Sequence, residues 1–247
     1  MKILVAISQV PDTTAKISFT DNNTKFNSAG VQFIINPYDE WYALVRALEL
    51  KEAGLVEKVS LVHVGLADAD AVIRKGLALG ADDSFRIDAD APDAQFVAQQ
   101  LAEFVKNNPY DIVLVGKETI SYNGGMVGGI LAGLLDWTFV STASKLDITG
   151  NTIMANQDIE GGVQIVECST PIVISCNKGM AEQRIPNMKG IMAARTKPLQ
   201  VIPAYTAASH TQYKQFELAA GRSACKFIDA DKVEELVQLL HNEAKVI

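Results

Sequence analysis

Histidine and cysteine are scarce in this chain of 247 residues, with three of each. Cys168, Cys176 and Cys225 show no C-x-x-C or other metal-type spacing, and an odd, scattered set argues against a disulfide framework and fits a reducing compartment. His63, His210 and His241 stand at no recognisable spacing from a nucleophile, and neither G-x-S-x-G nor H-E-x-x-H occurs. Hydrolase and zinc machinery of those kinds is therefore excluded. Basic charge is also short: 22 Lys and Arg against 29 Asp and Glu give a formal charge of -7. That lacks the basic stripe of a generic nucleic-acid or anionic-membrane binder. Nor is there a long apolar run, since Met126 to Leu135 is half of the ~20 residues a membrane helix needs. The opening Met1-Lys2-Ile3-Leu4-Val5 has neither a long apolar signal region nor a cleavage site. The expectation is a bacterial cytoplasmic protein that is not membrane-embedded.

Short β-rich runs are present instead, at Ile3–Ile7, Val59–Val64, Ser84–Ile87 and Ile112–Val115, three of them almost wholly apolar. Apolar strands of this kind belong to a parallel sheet covered on both faces. Helical patterns separate them. One is opened by Asp39 as cap, with Trp41, Leu44, Val45 and Leu48 on its inner stripe, and another spans Asp68–Leu79. A third follows Pro92-Asp93, and a fourth starts within Asn123–Gly128 and ends by Asp136. Alternation of this kind predicts βαβ units in a doubly wound, mainly parallel, Rossmann-like α/β sheet. A hairpin-like insertion is expected where Asp21-Asn22-Asn23 separates Ile17–Phe19 from Val31–Ile35. Antiparallel additions are expected about Gly150-Asn151 and Gly161-Gly162. Residues 1–190 form the predicted nucleotide-binding domain, with an exposed loop at about 176–190. Residues 191–247 read as a C-terminal arm whose last helix, Asp229–Lys245, carries Val233, Leu236, Leu239 and Leu240 on one side.

Two segments invite chemistry. Gly116-Lys117-Glu118-Thr119 and the following Asn123-Gly124-Gly125-Met126-Val127-Gly128-Gly129 lie after the fourth strand. In open parallel sheets a ligand sits beyond the carboxyl ends of the strands, where glycine lets backbone N–H groups approach a phosphate. Close helix–sheet packing accounts for the same glycines. In Asn36-Pro37-Tyr38-Asp39, Asp39 as cap and Pro37 as stiffener give a purely structural reading. The functional one has Asn36 and the backbone bonding an adenine edge, with Tyr38 facing a ring.

These segments, in order with Val10-Pro11-Asp12, Gly76–Asp82, Leu135-Asp136-Trp137, Asp158-Ile159-Glu160-Gly161-Gly162-Val163-Gln164, Pro171–Ile174 and Arg184–Met192, resemble the electron transfer flavoprotein beta (small) subunit family over essentially the whole chain. The resemblance implies a heterodimer in which an alpha subunit holds most of a redox-active FAD and the beta subunit holds AMP. Electrons would come from flavin dehydrogenases such as acyl-CoA dehydrogenases and leave to a quinone-linked or other acceptor. The chain would be an electron carrier without a catalytic site of its own. Carried over by position, the nucleotide site comprises Ala6, Asn36, Pro37, Tyr38, Asp39, Val64, Gly116, Thr119, Asn123, Gly124, Gly125, Met126 and Val127, with Tyr38 also near the flavin. Met180 and Arg184 fall in the partner-recognition loop, Met180 where the family usually has leucine, and the arm's helix would pack on the alpha subunit.

This chain departs from the family in its phosphate loop. Ser121 to Val127 offers few side-chain ligands where acidic, amide and hydroxyl groups are usual, so backbone N–H groups must do more. Gln157 replaces a basic residue, Ser175 stands where threonine, alanine or cysteine is usual, and Thr13 stands where some relatives have a flavin-side tyrosine. A second FAD in place of AMP, as in electron-bifurcating members, remains a sterically open alternative. An ATP-hydrolysing or adenylylating α/β enzyme would want a pyrophosphate loop soon after the first strand, which Ser8-Gln9-Val10-Pro11 does not supply. A stress-type nucleotide sensor would not need the chain beyond Ile174.

Overall fold

Ile3, Leu4 and Val5 are successive, so their side chains point to opposite faces of a strand, and all three can be buried only in a sheet covered on both sides. In the computed structural model, which describes residues 1–222 and 224–247, the chain opens with β1 (Lys2–Ala6), β2 (Gln9–Pro11), β3 (Phe19–Thr20), β4 (Lys25–Phe26) and β5 (Phe33–Ile35). Then come α1 (Asp39–Glu52), β6 (Lys58–Val64), a 3-10 turn at Ala67–Ala69 and α2 (Asp70–Leu79). β7 (Asp83–Asp88), α3 (Ala94–Asn107), β8 (Ile112–Gly116) and α4 (Val127–Leu135) follow. β9 (Thr138–Thr149), β10 (Thr152–Ile159), β11 (Gly162–Ser169), β12 (Ile172–Cys176), α5 (Met188–Ala194), β13 (Leu199–Pro203) and α6 (Val233–Leu239) complete the order, with a π-helical turn at Leu240–Ala244.

Nine strands form one sheet in the order β11-β10-β9-β12-β8-β1-β6-β7-β13. All pairings from β9 to β13 are parallel, and β9, β10 and β11 pair antiparallel at one edge. This is the doubly wound α/β sheet with antiparallel additions. β9 joins the two regimes: residues up to Ala143 run beside β12, and those from Ala143 on run beside β10. Thr142, at φ 48, marks the irregularity, and its N–H donates to Ser175 Oγ at 3.0 Å. One face of the sheet packs Ile3, Val5 and Leu61 against Leu44, Leu48, Ile73 and Leu77 of α1 and α2. The other packs Leu4, Val62 and Val113 against Leu101, Phe104, Val105 and Leu131 of α3 and α4. Each such side chain contributes about 1.5–3 kcal/mol by leaving water.

Several local expectations need correction. Val31–Ile35 does not close the insertion as a hairpin with Ile17–Phe19. β5 pairs antiparallel with β2, and the turn about Asp21–Asn23 instead joins the short β3 and β4. Asp39 does not cap α1: Tyr38 holds the cap position at φ 67 without a side-chain bond, and the Asp39 carboxylate accepts from Glu118 N–H at 3.2 Å. The carboxylate is drawn from the helix end to the loop after β8. Asp93 does cap α3, accepting from Phe96 N–H at 2.7 Å. Within 191–247, Leu199–Pro203 joins the main sheet as β13 beside β7, and the last helix is shorter than Asp229–Lys245.

The chain forms two compact units, one of residues 1–16 with 27–214 and one of 17–26 with 215–247. In the second, Phe216 stacks on Phe19 with centroids 5.3 Å apart, and its N–H donates to Asn23 C=O at 2.7 Å. Val233, Leu236 and Val237 of α6 are exposed. No helix among the described residues is long and apolar enough to cross a membrane.

Candidate functional site

From β1 the chain crosses to β6 and β7 on one side of the sheet and returns to β8 on the other. At such a reversal, loops leaving the carboxyl ends of adjacent strands part in opposite directions and leave a crevice. A cavity of about 420 Å³ lies there, within the roughly 300–1,000 Å³ usual for small-molecule sites. Ala6, Val97, Leu101, Val115 and Val127 give it apolar lining, and the loop from Gly116 to Met126 borders it.

The loop ends at the start of α4, where the first helical hydrogen bond runs from Ile130 N–H to Met126 C=O at 3.1 Å. The N–H groups before it are the donors that every helix start leaves unpaired, and with the helix dipole they favour an anion. The two readings of the glycines divide between them. A Cβ on Gly128 would lie 2.9 Å from Val115 and 3.0 Å from Phe139, so Gly128 serves helix–sheet packing. Gly124 and Gly125 border the cavity, with no atom closer than 3.6 Å to an added Cβ.

Glu40, in the first turn of α1, lines the cavity and is buried. Ser8 Oγ donates to one carboxyl oxygen at 2.7 Å, and Ser8 N–H bonds the other. Burial pushes the Glu40 carboxyl up to about 8, against the opposing pull of the Ser8 bonds. Burial also raises Asp39, offset by the Glu118 N–H and by Lys117. His63, on the same wall, approaches Ile7 C=O through Nδ1 at 2.8 Å. A carbonyl can only accept, so Nδ1 carries the proton, and burial holds the ring pKa below its ordinary value. Both Glu40 and His63 are thus neutral near pH 7, and neither opposes an anion with charge.

Ala6, Val64, Gly116, Thr119, Gly124, Gly125, Met126 and Val127 line the cavity. Asn36, Pro37, Tyr38, Asp39 and Asn123 do not stand in its wall. Asn36 is fully buried, its Nδ2 donating to Glu118 C=O at 2.8 Å while its Oδ1 accepts from Ile120 N–H at 3.0 Å. Its amide pins the loop. Tyr38 is half exposed at the mouth of α1, near Tyr42 and with Lys178 Nζ 5.9 Å from its ring centroid. Met180 is corrected too. Gly179, at φ +105, turns the chain inward, and Met180 packs into the core at 4 % exposure. The apolar side chains that the loop presents outward are Ile185 and Met188. Arg184 donates from both terminal nitrogens to Glu52, at 2.7 and 2.9 Å.

The sequence reading missed Glu40, Ser8, His63, Thr211 and Tyr213 as wall residues. Glu40 was within reach, being an acid beside Asp39 at a helix start next to a strand end. Thr211 and Tyr213 carried no local signal. Among the described residues, no cluster of His, Cys, Asp or Glu is suited to a metal ion.

Residues 24–207 match the family model of the electron transfer flavoprotein domain. The chain is 35% identical over 250 residues to an electron transfer flavoprotein subunit beta of Syntrophomonas wolfei, covering 100% of this chain and 98% of the relative. The protein of the same name from Bacillus subtilis is 34% identical over the full length of both chains. That from Bos taurus is 32% identical over 83% of this chain and 82% of its own. The chain belongs to the electron transfer flavoprotein beta subunit family. Family membership implies an association with flavin.

Proposed function

We propose that the chain is the beta subunit of a heterodimeric electron transfer flavoprotein, holding AMP in the cavity beyond β1, β6 and β8 and pairing with an alpha subunit that carries most of the FAD. One observation carries this reading: in a chain similar to its relatives from end to end, a cavity of about 420 Å³ lies at the reversal of strand order, beside the start of α4. Its size suits a mononucleotide.

FAD, when bound, supplies the electron acceptance and release, and the chain's own work is binding and orientation. Amides from Gly124 to Val127 would hold the phosphate, and Ala6, Val64, Val115 and Thr119 would meet the nucleoside. Asn36 and Asp39 would keep the loop in place. Tyr38 would meet the flavin. The loop of about 176–190 would dock a flavin dehydrogenase such as an acyl-CoA dehydrogenase, with Ile185 and Met188 outward and Arg184 beside them. Of residues 191–247, those after 214 would act as the arm, with the exposed apolar side of α6 against the alpha subunit. Electrons would pass to a quinone-linked or other acceptor.

Co-expression with the alpha subunit tests this. The purified pair should yield FAD and AMP on extraction, and the lone chain little flavin absorbance. A stable pair without flavin would overturn the proposal, and two FAD per pair would replace AMP by the bifurcating arrangement.

A further inference from the structure

Part of the cavity wall, Thr211 and Tyr213, comes from a segment far along the chain that is neither helix nor strand. Residues 205–213 are fastened to α3 and to the loop after β8 at three points. Gln100, fully buried, donates from Nε2 to Tyr205 C=O and accepts at Oε1 from Tyr205 N–H, both at 2.8 Å. Two helical turns earlier, Asp93 Oδ2 accepts from His210 N–H at 2.7 Å, Thr211 N–H at 2.9 Å and the hydroxyls of Ser209 and Thr211 at 3.1 and 3.2 Å. Tyr213 stacks on Tyr122, with centroids 4.9 Å apart and planes 15° from parallel. Irregular backbone must find partners for its polar groups, and here side chains of the cavity's own surroundings supply them. Asp93, Thr211, Tyr122 and Tyr213 all line the cavity.

Asp93 divides its labour cleanly. Its Oδ1 caps α3 through Phe96 N–H, while its Oδ2 gathers the strap. Those bonds, the Phe96 one foremost, hold its carboxyl well below the usual carboxylate range. The ionised form that accepts at both oxygens therefore persists at neutral pH.

We propose that the strap 205–213 is a binding element for the nucleotide: Thr211 and Tyr213 close over the bound ligand, and Asp93 is the positioning residue that holds them there. The proposal rests on the nucleotide reading of the cavity. Because two residues of the strap line the cavity, its fastening should show in how fast the ligand leaves.

Asp93→Asn separates the two roles, since asparagine caps a helix as well as aspartate does but replaces Oδ2 by an amide that cannot accept from N–H groups. With the full chain purified together with its alpha subunit, radiolabelled AMP would be chased with excess unlabelled AMP. Loss of the charge-assisted bonds should speed release by about 10- to 100-fold, with the thermal midpoint of the AMP-free protein within about 2 °C of the parent. Tyr213→Ala, which leaves the cap intact, should speed release about 3- to 10-fold and decides the matter alone if the Asp93 variant does not fold. Release at the parental rate in the folded variants, from a parent that holds AMP, would overturn the strap alone. A parent that binds no AMP would overturn the nucleotide reading and the strap with it.

Discussion

Replacing Glu40 by glutamine should flatten the pH dependence of stability between about pH 5 and 8. The folded chain keeps the Glu40 proton up to about pH 8, whereas the unfolded chain releases it near the ordinary 4.5. Between those values the folded state binds more protons, so stability falls as pH rises, by about 1.36 kcal/mol per pH unit at most. Across the window this amounts to roughly 3 to 5 kcal/mol, approached only at its upper end. Glutamine keeps one oxygen for Ser8 N–H, and its amide nitrogen can donate to the Ser8 hydroxyl, which then turns from donor to acceptor. It carries no charge to desolvate. Parent and variant should thus unfold at similar temperatures at pH 5. At pH 8 the variant should unfold roughly 6 to 20 °C higher, given a shift of about 2–4 °C per kcal/mol for a chain of this size. Thermal unfolding followed by circular dichroism at half-unit pH steps measures this. Parallel curves for the two proteins would refute the assignment of a neutral, buried Glu40.

Asn36→Ala should cost about 1–3 kcal/mol, because it removes the two part-buried hydrogen bonds that the amide makes with Glu118 C=O and Ile120 N–H. The same change should weaken AMP binding at least about tenfold by freeing the loop, as titration calorimetry on the heterodimer would read. Arg184→Ala removes a surface ion pair with Glu52, both partners at least a third exposed, so it should change stability by less than about 1 kcal/mol. A slower electron transfer from the donor dehydrogenase without a shifted melting temperature would then mark Arg184 as a docking residue.

The sheet was legible because burial on both faces demands continuous apolar runs, and Ile3–Ile7 and Ile112–Val115 can satisfy that demand in few other ways. Helix ends were legible where one side chain settles them, as with Asp93. They were not where a long-range partner wins the side chain. Asp39 leaves the helix terminus for Glu118, and Asn36 binds the main chain of residues 118 and 120, so the spacing within Asn36–Asp39 held the roles but not their targets. Met180 misled for a different reason. In sequence it stands in a polar, glycine-containing loop, yet one residue at positive φ before it suffices to turn it into the core. The strap had no periodicity to read at all, since its backbone is satisfied by side chains more than a hundred residues away.

The charges around the cavity bear on how a ligand would reside there. Lys117, the cation of the loop, pairs with Glu118 at 3.1 Å. Glu40 and His63 are held neutral by burial, and the Asp93 charge is spent on the cap and the strap. Each ionisable group of the wall is thereby committed to a partner within the chain or stripped of its charge. What remains to face the cavity is apolar surface with uncharged polar groups such as Thr119, Ser121 and Thr211, beside the start of α4. On the strap proposal, such a wall favours a long-held ligand over one that is exchanged, because its polar groups would be preorganised and departure would require undoing 205–213. The balance between those two terms is why substitutions at Asp93 and Asn36 should separate: the first should act on the rate of departure, the second on the donors themselves.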